Sequence, residues 1–128
     1  MKDRQYPGYL ITFEGGEGSG KTSALQEVCK KLRKYGGEVK MLREPGGPVI
    51  SEEIRNVIIK NRLDGAFMDP LTETFLFQAG RSQTVAEWTW PYLLNGEVVL
   101  VDRFRDSSTV YQGFARSVGC GFVDSLNE

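Results

Sequence analysis

The chain has 128 residues, 40% hydrophobic and 26% charged, the size and composition of one ordinary globular domain. A net charge of −1 offers no basic field for nucleic acid. The absence of histidine removes Ser-His-Asp and Cys-His catalysis and His-containing zinc sites.

A short apolar run over 9–13 reads as a buried strand. Residues 22–35 read as a helix with Ala24, Leu25, Val28, Cys29 and Leu32 along one stripe. Cys29 is therefore assigned to core packing, and both it and Cys120 to reduced thiols. Gly36-Gly37 ends that helix, 38–42 is a second strand, and 43–48 is a loop because Pro45 and Pro48 forbid helix. Pro48 suits the first turn of a helix from 49 to about 60. A connection over 61–69 leads to a long helix from 70 to near 90, interrupted by Pro91. Asn95-Gly96 is a turn, and 97–101 is a nearly all-apolar third strand ending in Asp102, as expected for a strand covered on both faces. A helix over about 106–118 follows, broken by Gly119 and Gly121, with another helix starting near 122. Strands alternating with longer amphipathic segments indicate an α/β fold with a parallel sheet, and no repeat or linker divides it. The start lacks an apolar signal region, and no apolar run approaches the roughly 18 residues that span a bilayer. The expected setting is cytoplasmic, without membrane or nucleic acid.

The most specific chemical signal is Gly15-Gly16-Glu17-Gly18-Ser19-Gly20-Lys21-Thr22, which matches G-x-x-x-x-G-K-[ST] between the first strand and the first helix. That context aims backbone N–H groups and the positive end of a helix at a phosphate. Lys21 then reaches the β- and γ-phosphates of ATP, and the Thr22 hydroxyl coordinates Mg²⁺. Asp102, closing an apolar strand, is the matching candidate for holding Mg²⁺. Arg103 suits bidentate phosphate capture, against the plainer reading of a surface ion pair. Ser107 with Tyr111, and Ser108 with Gln112, are i,i+4 pairs on one helix face. A glutamine amide supplies both donor and acceptor to a base edge. Phe77 and Arg81 form a third such pair, a ring and a guanidinium suited to stacking on a base and bonding to it. Taken alone, a core Phe and a solvated Arg are the plainer alternative.

Four strings together extend this reading: 13–22, then Arg43-Glu44-Pro45-Gly46-Gly47, then Glu73-Thr74-x-Leu76-Phe77-x-Ala79-x-Arg81, then Asp102-Arg103-x-x-Asp106-Ser107-Ser108-x-x-Tyr111-Gln112-Gly113. In order and spacing the chain resembles bacterial thymidylate (dTMP) kinases over essentially its whole length. The phosphate loop is shared by many families, whereas the Arg-Glu-Pro-Gly-Gly and Asp-Arg…Tyr-Gln-Gly strings are much more specific. The resemblance implies a P-loop three-layer α/β/α fold of the nucleoside-monophosphate-kinase type, with residues 1–128 as a kinase core domain. It implies transfer of the ATP γ-phosphoryl group to dTMP, and a homodimer. Glu14, Lys21 and Thr22 would serve phosphates, Mg²⁺ and the substrate sugar. Arg43 and Glu44 would shape the phosphoryl-transfer site. Arg55 and Arg103 would contact the dTMP phosphate. Phe77 would stack on thymine, Arg81 would bond its carbonyl edge, and Ser108 and Gln112 would complete base recognition. Tyr111 would crowd the 2′ position.

Departures from the family pattern are Pro48 for a common Thr, Gln78 for a small residue, and Phe104 for a Tyr or His. Gly80 stands mid-helix, where it costs about 1 kcal/mol relative to Ala. Family members run longer, and 16–19 of the loop carry no Arg, so the expected catalytic arginine belongs to a lid beyond residue 128. On that resemblance the chain matches the N-terminal part of such an enzyme, and a kinase for another nucleotide or a binding protein without turnover are the competing readings.

Overall fold

The computed structural model describes residues 6–127. Strands β1 (Tyr9–Phe13), β2 (Val39–Arg43) and β3 (Val98–Asp102) form one parallel sheet in the order β1-β3-β2. Helices α1 (Lys21–Lys34), α2 (Val49–Asp64), α3 (Pro70–Thr84), α4 (Trp90–Leu94), α5 (Arg105–Ser108) and α6 (Cys120–Ser125) complete it, with π-helical segments at Val85–Thr89 and Thr109–Ala115.

β3 is central, and Val99, Leu100 and Val101 are almost inaccessible, so its near-continuous apolar run answers to cover on both faces. On one face Leu100 and Val39 meet Leu25 and Cys29 of α1, with Val28 and Leu32 beside them. The expected stripe therefore faces the core except at Ala24, which is exposed. On the other face Val99, Val101 and Leu42 meet Leu93, with Trp88, Tyr92 and Phe104 packed against them. Helix, sheet and helix make the three layers.

α2 and α3 pack along a polar seam: Ser51 Oγ donates to Gly80 O at 2.9 Å, and Thr84 Oγ1 lies 2.9 Å from Ser51 Oγ. α3 is capped by Asp69, whose carboxylate accepts from the N–H groups of Leu71 and Thr72, with Pro70 in the first turn.

Three expectations need correction. α2 runs to Asp64, ending at Gly65 with φ 67°, so four residues assigned to a connection are helical. Pro91 does not interrupt the helical path. The wide turn at Val85–Thr89 precedes it, with Trp90 N bonded five residues back to Val85 O, and the chain continues helically to Leu94 with Pro91 in the first turn of α4. The helix expected over 106–118 is one short α-turn followed by a π-helical segment, with Arg116 N donating to Tyr111 O at 2.9 Å, five residues back.

Candidate active site

The parallel register aligns the carboxyl ends of all three strands, Phe13 opposite Asp102 and Asp102 opposite Arg43. Open α/β sheets bind ligands just outside such ends. There Arg103 N donates to Phe13 O at 3.0 Å and Glu44 N to Asp102 O at 3.1 Å. These bonds fix Glu14, Glu44 and Arg103 relative to one another.

The glycine loop leaves β1 and enters α1 at Gly20, whose φ of 85° lies in the left-handed region that a side chain disfavours. Lys21 Nζ folds back to Gly16 O at 3.2 Å. Thr22 Oγ1 donates to Asp102 Oδ2 at 3.0 Å, joining the loop to β3. Asp102 Oδ1 is buried with no hydrogen-bond partner. An unpartnered carboxylate oxygen beside a hydroxyl is a pair of hard donors, and so fits Mg²⁺. Among the described residues no cluster of three or more His, Cys, Asp or Glu is gathered. Mg²⁺ draws much of its shell from water and substrate phosphates, so it does not require such a cluster.

Beside these strand ends lies a cavity of about 480 Å³. Eight of the nine residues expected at the substrate line it: Arg55, Phe77, Arg81, Arg103, Ser107, Ser108, Tyr111 and Gln112. Glu17 and Glu44 line it as well. Glu14 does not. It accepts from Phe104 N at 2.8 Å and Ser107 Oγ at 2.5 Å, so it holds the start of α5 instead. Arg43 also lies off the wall, bonded to Glu52 at 2.8 Å, and Glu52 in turn accepts from Gly47 N.

Arg81 is the hub of the wall. Its Nε donates to Glu44 Oε2 at 2.6 Å, its Nη2 to Ser108 Oγ at 2.8 Å and its Nη1 to Asn127 Oδ1 at 2.5 Å, and its guanidinium stands 5.1 Å from the Phe104 ring. A guanidinium has five N–H donors, so two remain for a ligand. Burial pushes the Glu44 carboxyl up to about 7; Arg81 opposes this and the Glu14 charge adds to it. Arg55 is lowered by burial and by the neighbouring Arg43 charge, with Glu52 opposing. Arg103 has φ 69°, a conformation that a non-glycine residue holds only under local constraint, and its guanidinium lies 5.2 Å from the Tyr111 ring. Partly buried arginines with incomplete local neutralisation form a receptor for an anion.

Three lining residues were not foreseen as site residues: Pro45, Arg62 and Phe104. Arg62 is seven residues from Arg55 on α2, so helical spacing over the true length of α2 brings both to one face. Phe104 was visible only as a departure from the family pattern.

A phosphate loop at the head of a parallel sheet, with a cationic and aromatic cavity beside it, defines a P-loop α/β fold of the nucleoside-monophosphate-kinase type. The thymidylate kinase family model matches residues 13–128, and the chain belongs to that family. It is 49% identical over 121 residues to the thymidylate kinase of Halalkalibacterium halodurans, covering 94% of this chain and 57% of that protein. The Bacillus licheniformis thymidylate kinase is also 49% identical, with 94% and 56% covered. The crystal structure of thymidylate kinase from Ehrlichia chaffeensis superposes with a TM-score of 0.86 at 35% identity, covering 94% of this chain and 66% of that one. The chain thus spans little more than half the length of the curated relatives.

Proposed function

We propose that this chain carries the phosphate loop and acceptor site of an ATP-dependent dTMP kinase, which forms dTDP for dTTP synthesis. The carrying observation is that one cavity beside the loop holds a ring, a guanidinium, a hydroxyl and an amide together with Arg55 and Arg103. That set suits one planar base and one phosphate on the same ligand.

Phosphoryl transfer asks mainly for positioning and charge stabilisation. Loop N–H groups and Lys21 hold the ATP phosphates. Arg55 and Arg103 hold the acceptor phosphate. Phe77 stacks on thymine, Arg81 bonds its carbonyl edge, Ser108 and Gln112 complete the edge, and Tyr111 crowds the 2′ position. Arg43, tied to Glu52, and Glu44 shape the space between the two nucleotides. Thr22 and Asp102 would hold Mg²⁺, which would supply positive charge to offset that of the nucleotide phosphates. No helix among the described residues is long and apolar enough to cross a membrane. Cytoplasmic work and a homodimer complete the proposal. The test follows labelled γ-phosphoryl from ATP. Label in dTDP, absent with dCMP or dGMP and abolished by Lys21→Ala, is expected. No labelled product together with no dTMP binding would refute the reading.

A further inference from the structure

Glu73 is a buried acid, 3% exposed, one turn before Phe77 on α3 and off the cavity wall. Its Oε2 accepts from Arg116 Nη2 at 3.0 Å, and Arg62 Nη2 stands 3.7 Å from its Oε1. The same Oε1 accepts from Gln112 Nε2 at 3.2 Å. Gln112 is itself 2% exposed and lines the cavity.

A side-chain amide has two unlike ends: its NH₂ only donates and its oxygen only accepts. An ionised carboxylate only accepts. Glu73 therefore decides which end of Gln112 turns towards it, and so which end is left for the cavity. We infer that Glu73 is a positioning residue that locks the Gln112 amide with its oxygen available to the ligand, so that the site takes a pyrimidine with a ring N–H over its 4-amino counterpart. A 4-keto pyrimidine such as thymine donates from that ring position. A 4-amino pyrimidine presents a lone pair there and meets the oxygen acceptor to acceptor. The inference rests on the proposed reading of the cavity as a pyrimidine-nucleotide site. It adds a residue outside the cavity wall as the source of keto-over-amino selectivity.

The test uses dTMP and 5-methyl-dCMP, which differ only on that edge, with deoxyribose 5-phosphate as the base-free probe. Affinities are measured by calorimetry on the chain and on Glu73→Gln and Glu73→Asp. A glutamine at 73 either donates or accepts, and so permits both orientations of Gln112. Glu73→Gln is expected to lower the dTMP preference by about tenfold or more, the scale of one hydrogen bond. Deoxyribose 5-phosphate affinity is expected to hold. Glu73→Asp, still only an acceptor, is expected to keep most of the preference. An unchanged preference in folded Glu73→Gln overturns the inference, as does an equal loss for the base-free probe. If the unsubstituted chain shows no preference for dTMP, the proposed function falls with it, and that failure is seen before any substitution is made. Should Glu73→Gln fail to fold, the Gln112 side-chain amide resonances of the unsubstituted chain decide. Protons protected from solvent exchange before any ligand is added support the lock; an amide that exchanges freely overturns it.

Discussion

The residue that joins the two halves of the site is Glu44. It reaches the cavity from the end of β2, pairs with Arg81 of α3, and sits within the field of Glu14. Burial raises its carboxyl from 4.5 to about 7 despite Arg81. Between those values the folded chain keeps a proton that the unfolded chain has released. Stability from this group is therefore fully present below about 4.5, falls as pH rises to about 7, and is flat above. The loss is on the order of 3 kcal/mol, at about 1.36 kcal/mol per pH unit over the separation between 4.5 and about 7. Urea unfolding of the chain and of Glu44→Gln across pH 4.5 to 7.5 reads it as a slope, so the separate cost of weakening the Arg81 pair drops out. Parallel pH dependence in the two proteins would show that Glu44 is not the titrating group. At the same scale Phe77→Ala is expected to weaken dTMP binding by about 1–3 kcal/mol, the worth of a base–aromatic stack. Calorimetry checks this, and an unchanged affinity removes Phe77 from the base site.

At the scale of elements, the π-helical segment Thr109–Ala115 carries Tyr111 and Gln112 into the cavity and lies against α6. A Cβ on Gly113 would stand 2.9 Å from Cys120 Cα and 3.3 Å from Cys120 N, backbone that cannot swing aside. Gly113→Ala is expected to cost about 1–3 kcal/mol, the usual result of overpacking. It is also expected to displace Gln112, with dTMP affinity falling alongside Tm. A variant as stable as the parent would mean that α6 yields freely. The sequence made Gly113 visible only as the last letter of Tyr-Gln-Gly, because its reason is a contact with a residue seven places on. The glycine loop, the three strands and the stripe of α1 were legible, since each is a local pattern of apolar period or turn chemistry. The i,i+4 pairs Phe77/Arg81 and Ser108/Gln112 were legible as spacing, and both pairs meet at one cavity. The π-helical segments were not, because five-residue hydrogen bonds have no compositional signature and are set by packing on neighbours. Glu14 shows the same limit. Its acidity was plain, but its partners Phe104 and Ser107 lie about ninety residues away.

At the scale of the whole molecule, the sheet is asymmetric. β2 and β3 are backed by α1 on one face and by Leu93 and Trp88 on the other. β1 pairs with β3 on one side, and among the described residues no strand lies on its other side. Leu10 and Ile11 are each 38% exposed along it. Parallel strands are ordinarily covered on both faces, and an apolar strand edge is a template for pairing with another chain. Leu10 also lines a second, largely apolar hollow with Trp90 and Leu93, so the edge and its flank expose apolar surface together. The chain as it stands is therefore expected to self-associate with rising concentration through β1. A lysine on such an edge is a common natural guard, so Ile11→Lys is expected to shift association to higher concentration. Because Ile11 is already partly exposed, the same change should alter monomer stability by only about 0.5–1 kcal/mol, well below the cost of disturbing a core residue. Sedimentation velocity over a hundredfold range of concentration reads the first effect, and denaturant unfolding at the lowest concentration reads the second. A concentration-independent monomer would show that the β1 edge is already protected. Association unaffected by Ile11→Lys would move the contact to another surface. Association abolished together with a collapse in stability would mean that Ile11 is part of the core.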